Sequence, residues 1–339
     1  MPFKVDDGTD DFGMIMRDAL SVDLPASLVR YAKAHQHWDA EVDRLAAHLT
    51  ALKVDALLAD APYLTLAAAK MANIASAAIC SLNWADILED CVRLDKSALT
   101  AANVSPVALD LMLQQMRDAY ASADLVLRPA PAIETTGFNV IDIAPIVQKP
   151  QPASRDALLQ LVQAQTGFPF DSSTPPWLVL ASMGGIGLTI DTAHWPTHWG
   201  GRPIVYLLDK RLLSGKPHTV ALDVEQVSFQ ATMAACDLVL TKPGYGMFVE
   251  AAAHGKPLLF LSREGWPEST CLTQWARDHL PCCEISLATA AAGQFISELG
   301  TLLDLGPISP RHFDGADKAA RHLLPWLKPL TTISAAKCP

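Results

Sequence analysis

The sequence predicts an α/β protein of two domains, each a mostly parallel sheet with helices on both faces. Two observations carry this reading. Short, almost unbroken apolar runs alternate with helix-length segments along the whole chain, and 339 residues is enough for about two domains with cores of their own. Strands covered on both faces read as continuous apolar runs because neither face meets water, and this is the mark of a parallel sheet between helical layers.

In the first half the strand candidates are DALLAD (55–60), SAAICSL (76–82) and LVLRPA (125–130). In the second half they are WLVLAS (177–182), PIVYLLD (203–209), TVALD (219–223), LVLTKP (238–243), PLLFLS (257–262) and CEISL (283–287). Helices fit at 28–51, 63–73, 106–122, 154–165, 228–236, 246–254, 268–279, 289–303 and 314–327. The first of these reads as one long amphipathic helix, with Leu28, Tyr31, Ala32, Trp38, Val42, Leu45, Ala46 and Leu49 on one face. The proline-rich stretch APIVQKPQPAS (144–154) separates the two series as a linker. The expected organisation is therefore two Rossmann-like domains facing a cleft, at 1–147 and 148–313, followed by a crossover helix and tail at 314–339. The first fifty residues hold neither a buried opening strand nor a glycine turn, so the N-terminal domain reads as incomplete by one strand–helix–strand unit.

Composition removes several classes of function. With 26 Lys+Arg against 36 Asp+Glu the net charge is −10, which argues against a general nucleic-acid binder and against attachment to an anionic membrane. The most apolar stretch, 56–82, is interrupted by Asp60, Lys70 and Asn73 and reads as strand, helix, strand. Seven cysteines, an odd number without a C-x-x-C pair, point to a reduced, cytoplasmic protein, and the polar, acidic opening MPFKVDDGTDDFG does not read as a signal peptide.

The most informative segment is ACDLVLTKPGYGMFVEAAAHGKPLLFLS (235–262). A buried strand runs into Lys242-Pro243-Gly244-Tyr245-Gly246, and a helix then ends at His254-Gly255. Glycines between strand and helix let backbone N–H groups approach a ligand, and the partial positive charge of the helix start favours an anion there. Glu250 lies one turn further in, where a carboxylate could accept both hydroxyls of a ribose attached to a bound phosphate. A plain packing turn is the competing reading. A dinucleotide site is a second competitor: Val249 stands where its fingerprint wants a third small residue, although Glu264 supplies an acid at the end of the next strand. A P-loop is disfavoured because no G-x-x-x-x-G-K-[ST] occurs.

This segment resembles the donor-site helix of two-domain GT-B glycosyltransferases, in particular the family 28 C-terminal domain. The chain also resembles the glycosyltransferase-like N-terminal region of plant arabinokinases. The resemblance extends over DFGMIMRDALSVD (11–23), LLADAPYLTLAAAKMANIASAAICSLNWADI (57–87), the LASMGG turn (180–185), KPGYG with its following glutamate, and REGWPES (263–269). It implies a GT-B-type enzyme that moves a sugar from a nucleoside diphosphate sugar to an unknown acceptor, with no tightly bound cofactor and no metal. It also implies donor contacts from Ser182, Gly184, Gly185, Lys242, Gly244, Tyr245, Gly246 and Glu250, with Arg263 and Glu268 facing the donor sugar. A non-catalytic nucleotide-sugar-binding module, an epimerase of the same fold and an NAD-dependent oxidoreductase stay open as alternatives.

On the first-domain side, ligands gather beyond the carboxyl ends of strands. Asp60, Asn83 and Trp84 stand at two such tips, with Asp60 the candidate base for the acceptor proton. Asp60 and Asp86 as simple helix caps are the alternative. The Gly/His loop that such enzymes carry after their first strand has no counterpart before Leu57, which places catalysis in question. His194 and His198 are separated by Pro196 and do not form a helical metal pair, and Asp6, Asp7, Asp10 and Asp11 lack the glutamate spacing of a calcium loop. Ser228 reads as a helix cap.

Overall fold

The computed structural model describes residues 12–150, 154–166, 174–185, 188, 190–209, 218–222 and 228–335. The acidic opening at 1–11, linker residues 151–153 and Val227 lie outside them.

The first unit runs α1 (Leu24–Gln36), α2 (Trp38–Leu52), β1 (Ala56–Ala59), α3 (Tyr63–Met71), β2 (Ala75–Ile79), α4 (Trp84–Leu94), α5 (Ser97–Ala101), α6 (Pro106–Ala121), β3 (Leu125–Pro129) and β4 (Ile141–Ile143). Its sheet is wholly parallel in the order β1-β2-β3-β4. The single helix expected at 28–51 is two helices, and the correction has a physical basis. At His37 the chain leaves helical geometry, and the Trp38 ring stacks 5.0 Å from the His35 ring and 6.1 Å from that of Tyr63. The break lays Val42, Leu45, Ala46 and Leu49 of α2 on Ala68 and Ala69 of α3, while Leu28 and Tyr31 of α1 enter the main core of the unit.

The second unit runs α7 (Arg155–Thr166), β5 (Trp177–Ala181), β6 (His198–Trp199), β7 (Arg202–Asp209), β8 (Thr219–Leu222), α8 (Phe229–Ala235), β9 (Leu238–Thr241), α9 (Tyr245–Ala253), β10 (Leu258–Leu261), α10 (Glu268–His279), β11 (Cys282–Ile285), α11 (Leu287–Ala291), α12 (Ile296–Leu303) and α13 (Gly315–Ala335). Its parallel strands lie in the order β8-β7-β5-β9-β10-β11, with the two-residue β6 antiparallel on β7. Strands β9 and β10 are buried along their whole length and β5 from Leu178 to Ala181, as their apolar runs require. The helix expected at 289–303 is also two, because Gly293 turns with φ +69 and a Cβ there would sit 1.9 Å from the His194 carbonyl oxygen.

The strand order is that of a doubly wound sheet. From β5 the chain moves outward to β7 and β8, then returns to the other side for β9, β10 and β11. The switch point therefore lies between β5 and β9, and a crevice opens beyond the carboxyl ends of those two strands. Both glycine turns singled out in the sequence stand at this crevice.

The units are tied together in three places. Trp266, on the loop after β10, is buried in the core of the first unit. Ala19 and Leu20, near the start of the described chain, are buried in the core of the second. Helix α13 returns to the first sheet, with Ala319 and Leu323 packed against Leu127 and Ile143. Among the described residues no helix is long and apolar enough to cross a membrane.

Candidate functional site

The floor of the crevice is stitched by the ends of β5 and β9. The Ser182 amide donates to the Leu240 carbonyl at 3.0 Å, and the buried Thr241 hydroxyl donates to the Ser182 carbonyl at 2.6 Å. Beyond this floor a cavity of about 330 Å³ is walled by Gly184, Lys242, Gly244, Tyr245, Gly246 and Glu250. Ser182, Gly185, Arg263 and Glu268 lie outside that wall.

Helix α9 opens into the cavity. Its N-cap is Gly244, in extended backbone with φ −167, and no side chain caps the first amides. The helix start thus keeps free N–H groups and partial positive charge at the cavity edge. No side chain fills the space, since a Cβ at Gly246 would meet nothing within 4 Å, and at Gly244 the first side-chain atom is the Lys242 ammonium at 3.8 Å. The helix ends cleanly. Gly255 takes φ +61, its amide donates to Ala252 and the Lys256 amide donates to Ala251, which closes the C-terminus in a Schellman turn.

Lys242 is the cation of the cavity. Its Nζ lies 3.9 Å from where a Gly184 Cβ would be, so the ammonium stands between the two glycine turns. It makes no hydrogen bond or ion pair among the described residues. Burial is the main cause that lowers its pKa, to about 8, with the neighbouring Arg263 acting in the same direction and Glu268 opposing. A half-buried ammonium without a protein acceptor favours an incoming anion.

Glu250 stands one turn into α9. Its Oε1 accepts the Gln148 amide of the linker at 2.9 Å, whereas Oε2 is buried without a hydrogen bond, 3.8 Å from His254 Nδ1. The same linker donates the Ile146 amide to the Tyr245 hydroxyl at 2.9 Å. Burial pushes that hydroxyl up to about 12, and Asp60 of the first unit is among the charges adding to it. An unpaired buried carboxylate oxygen is costly, and a hydroxyl of a ligand would relieve it.

The loop 263–268 does not form an open rim. Trp266 is buried in the first unit, and its indole N–H donates to Glu268 Oε2 at 3.2 Å. Ser81 of the first unit donates to Glu268 Oε1 at 3.4 Å, so this carboxylate bridges the units. Burial raises the Glu268 pKa, partly opposed by the Trp266 bond and by Arg263. Arg263 donates to the Pro243 carbonyl at 3.3 Å and stacks 4.2 Å from the Trp266 ring centroid.

On the first-unit side the strands β1 and β2 are neighbours, so their tips lie together. Asp60 is exposed there. Asn83 is not available in the same way: it caps α4, its Oδ1 accepting the Asp86 amide at 2.9 Å and its Nδ2 donating to Asp86 Oδ2 at 2.7 Å. Asp86 is in turn held by Arg117 at 2.9 Å. The Trp84 ring packs against Gly13, 2.8 Å from the place of a Cβ. Ser228 caps α8 through the Ala231 amide at 3.2 Å. The linker amides of Ile146 and Gln148 at the cavity have no sequence signal, because a backbone donor leaves none. Among the described residues no group of three or more His, Cys, Asp or Glu is placed to hold a metal.

No protein-family model matches the chain. It is 24% identical over 328 residues to an L-arabinokinase of Arabidopsis thaliana, an alignment covering 93% of this chain and 28% of the relative's length. Among solved structures it is similar to the glycosyltransferase VinC in complex with dTDP, at TM-score 0.49 and 14% identity, over 83% of this chain and 72% of that one. It is also similar to a glycosyltransferase of kitacinnamycin, at TM-score 0.49 and 16% identity over 86% and 77% of the two chains. A third is SnogD from Streptomyces nogalater, at TM-score 0.44 and 13% identity over 87% and 80%. All three of these solved proteins are glycosyltransferases.

Proposed function

We propose that the chain binds a nucleoside diphosphate sugar at the switch point of the second sheet and transfers its sugar to an acceptor held by the first unit. The observation that carries this reading is the joint placement, around one cavity, of the uncapped start of α9, the unpartnered Lys242 ammonium and the unpaired Glu250 Oε2. The diphosphate would take the α9 amides and Lys242, with Gly184, Gly185 and Ser182 framing it and Gly244 and Gly246 leaving it room. The ribose would take Glu250, and the base would extend toward Tyr245. Arg263 and Glu268 would face the sugar. As the sugar leaves, negative charge grows on the diphosphate, and the fixed amides and ammonium stabilise it without reorganising. Asp60 would accept the acceptor proton, with Trp84 and the Asn83 cap shaping the tip beside it.

In this proposal residues 1–147 serve the acceptor, 148–313 the donor, and 314–339 fasten the two. The donor is a substrate and not a resident cofactor. A cytoplasmic setting belongs to the same proposal and rests on the odd, unpaired cysteine pattern. A nicotinamide cofactor is less well supported, because Val249 stands where the dinucleotide fingerprint after β9 wants a third small residue.

Calorimetry with UDP, GDP and dTDP tests the reading. One of them binds the native protein, and Glu250→Ala weakens it by about 10-fold or more, the loss of one charged hydrogen bond. Absence of binding by all three, or an unchanged affinity in the variant, overturns it. A second reading, a module that binds the nucleotide sugar without turnover, is favoured by one observation: Asn83 is spent on Asp86, which thins the polar groups facing an acceptor. Tight binding with no release of sugar over hours would support that module over the enzyme.

A further inference from the structure

Arg263 is the unresolved charge of the site. The residue is only 9% exposed. Of its five N–H donors, one reaches the Pro243 carbonyl at 3.3 Å, at the long end of the hydrogen-bond range. Nε is sealed from solvent and has no acceptor. No carboxylate pairs with the guanidinium. Glu268 acts on it through space and raises its pKa, but the Glu268 oxygens accept from Ser81 and Trp266 and take no hydrogen bond from Arg263. Asp18 holds its own loop, its Oδ1 taking the Leu20 and Ser21 amides at 2.7 and 2.9 Å, and it acts on Arg263 only through space. Cys91 stays a thiol, since burial pushes it up to about 12.

Two cations, Lys242 and Arg263, therefore share the cleft side of β9 and β10, and neither is hydrogen-bonded to Glu268, the acid that acts on both through space. Under the donor reading above, on which this inference rests, the diphosphate answers Lys242 and the α9 amides. Arg263 follows the neighbouring strand, about 5 Å across the sheet, on the side where the loop 263–268 meets the first unit. Glu268 and Asp18 act on it only through space, so its fork is left without a bidentate acceptor. A neutral sugar hydroxyl does not match a buried, planar, five-donor fork, whereas a carboxylate accepts two parallel N–H bonds from it. We propose that the sugar carried by the donor is an acidic one, whose carboxylate is held by the Arg263 guanidinium against the Trp266 ring.

The test compares two donors that differ only in this group. UDP-glucuronate and UDP-glucose are titrated against the native protein; if GDP or dTDP is the nucleotide held, GDP-mannuronate and GDP-mannose, or the dTDP-glucuronate and dTDP-glucose pair, replace them. The acidic donor binds at least about 10-fold tighter, and Arg263→Lys, which keeps the charge and loses the fork, collapses the ratio toward one. The ratio is the readout, because a structural defect at Arg263 would weaken both donors together. Equal affinities in the native protein, with the bare nucleoside diphosphate binding, overturn the acidic sugar and leave the donor site standing. Failure of all three nucleoside diphosphates overturns the donor site and this inference with it.

Discussion

At the residue scale the site depends on an ammonium held under protest. Burial lowers the Lys242 pKa to about 8 from 10.5. Below pH 8 the folded and unfolded chains both carry the proton, and the fold bears the whole cost of the buried charge. Between about 8 and 10.5 the unfolded chain binds more protons than the folded one, so this residue's contribution to stability rises with pH across that window. Ligand binding runs the other way, because an anion needs the charged form. The affinity for the nucleoside diphosphate is expected to fall as pH is raised from 7 to 9.5. In Lys242→Met the affinity is lower throughout and that slope is lost, while the melting temperature at pH 7 rises. Calorimetric titration at several pH values and a thermal melt check the two arms separately. The position of Lys242, at the turn between β9 and α9, was legible in the sequence. The surroundings of Arg263 were not, since they include Glu268, whose other partner Ser81 lies 187 positions away in sequence.

At the element scale the strands were legible and their edges were not. Runs such as LVLT and LLFL are buried throughout, so their apolar character is continuous and unmistakable. Strand β4 escaped because two of its three residues are exposed, and β6 because two residues carry no pattern. The helix α4 hid behind its own strand tip: Asn83 looks like a cleft residue until its side chain is seen on the Asp86 amide. The break at His37 follows from ring stacking by Trp38 on Tyr63, a contact outside any local window. Helix α9 illustrates the conflict between fold and function within one element. Gly246 is its second residue, with open space where a Cβ would be. Alanine there should stabilise the helix by about 0.5–1 kcal/mol, through lower backbone entropy in the unfolded chain. The same methyl projects at the cavity wall, so nucleoside diphosphate affinity should drop. Denaturant titration of Gly246→Ala giving higher stability, together with weaker binding, is the outcome that marks Gly246 as kept for a ligand; higher stability with unchanged binding would mark it as a bystander.

At the scale of the whole molecule the two units exchange parts of their cores. Trp266 leaves the second sheet and is buried among Met14, Leu88 and Cys91 of the first unit's cluster, while Ala19 and Leu20 leave the first unit and are buried with Met183 and Leu188 of the second. Helix α13 closes the circuit on Leu127 and Ile143. Buried apolar contacts of this kind couple the stability of the partners, unlike the polar, readily sheared interfaces usual between domains. The native protein should therefore unfold in a single calorimetric transition. Trp266→Ala removes the largest of the exchanged side chains and is expected to cost about 3–5 kcal/mol. Because the lost contacts belong to the first unit's core but the residue belongs to the second, the deficit should appear as a split, the first unit melting earlier and the second close to its former temperature. Nucleoside diphosphate added to the variant should raise only the later transition, since its proposed contacts at Lys242 and Glu250 all lie in the second unit. A lone transition that shifts as a whole in Trp266→Ala would mean that the coupling is carried by Leu20 and α13, and would move the hinge of the molecule away from the loop at 263–268.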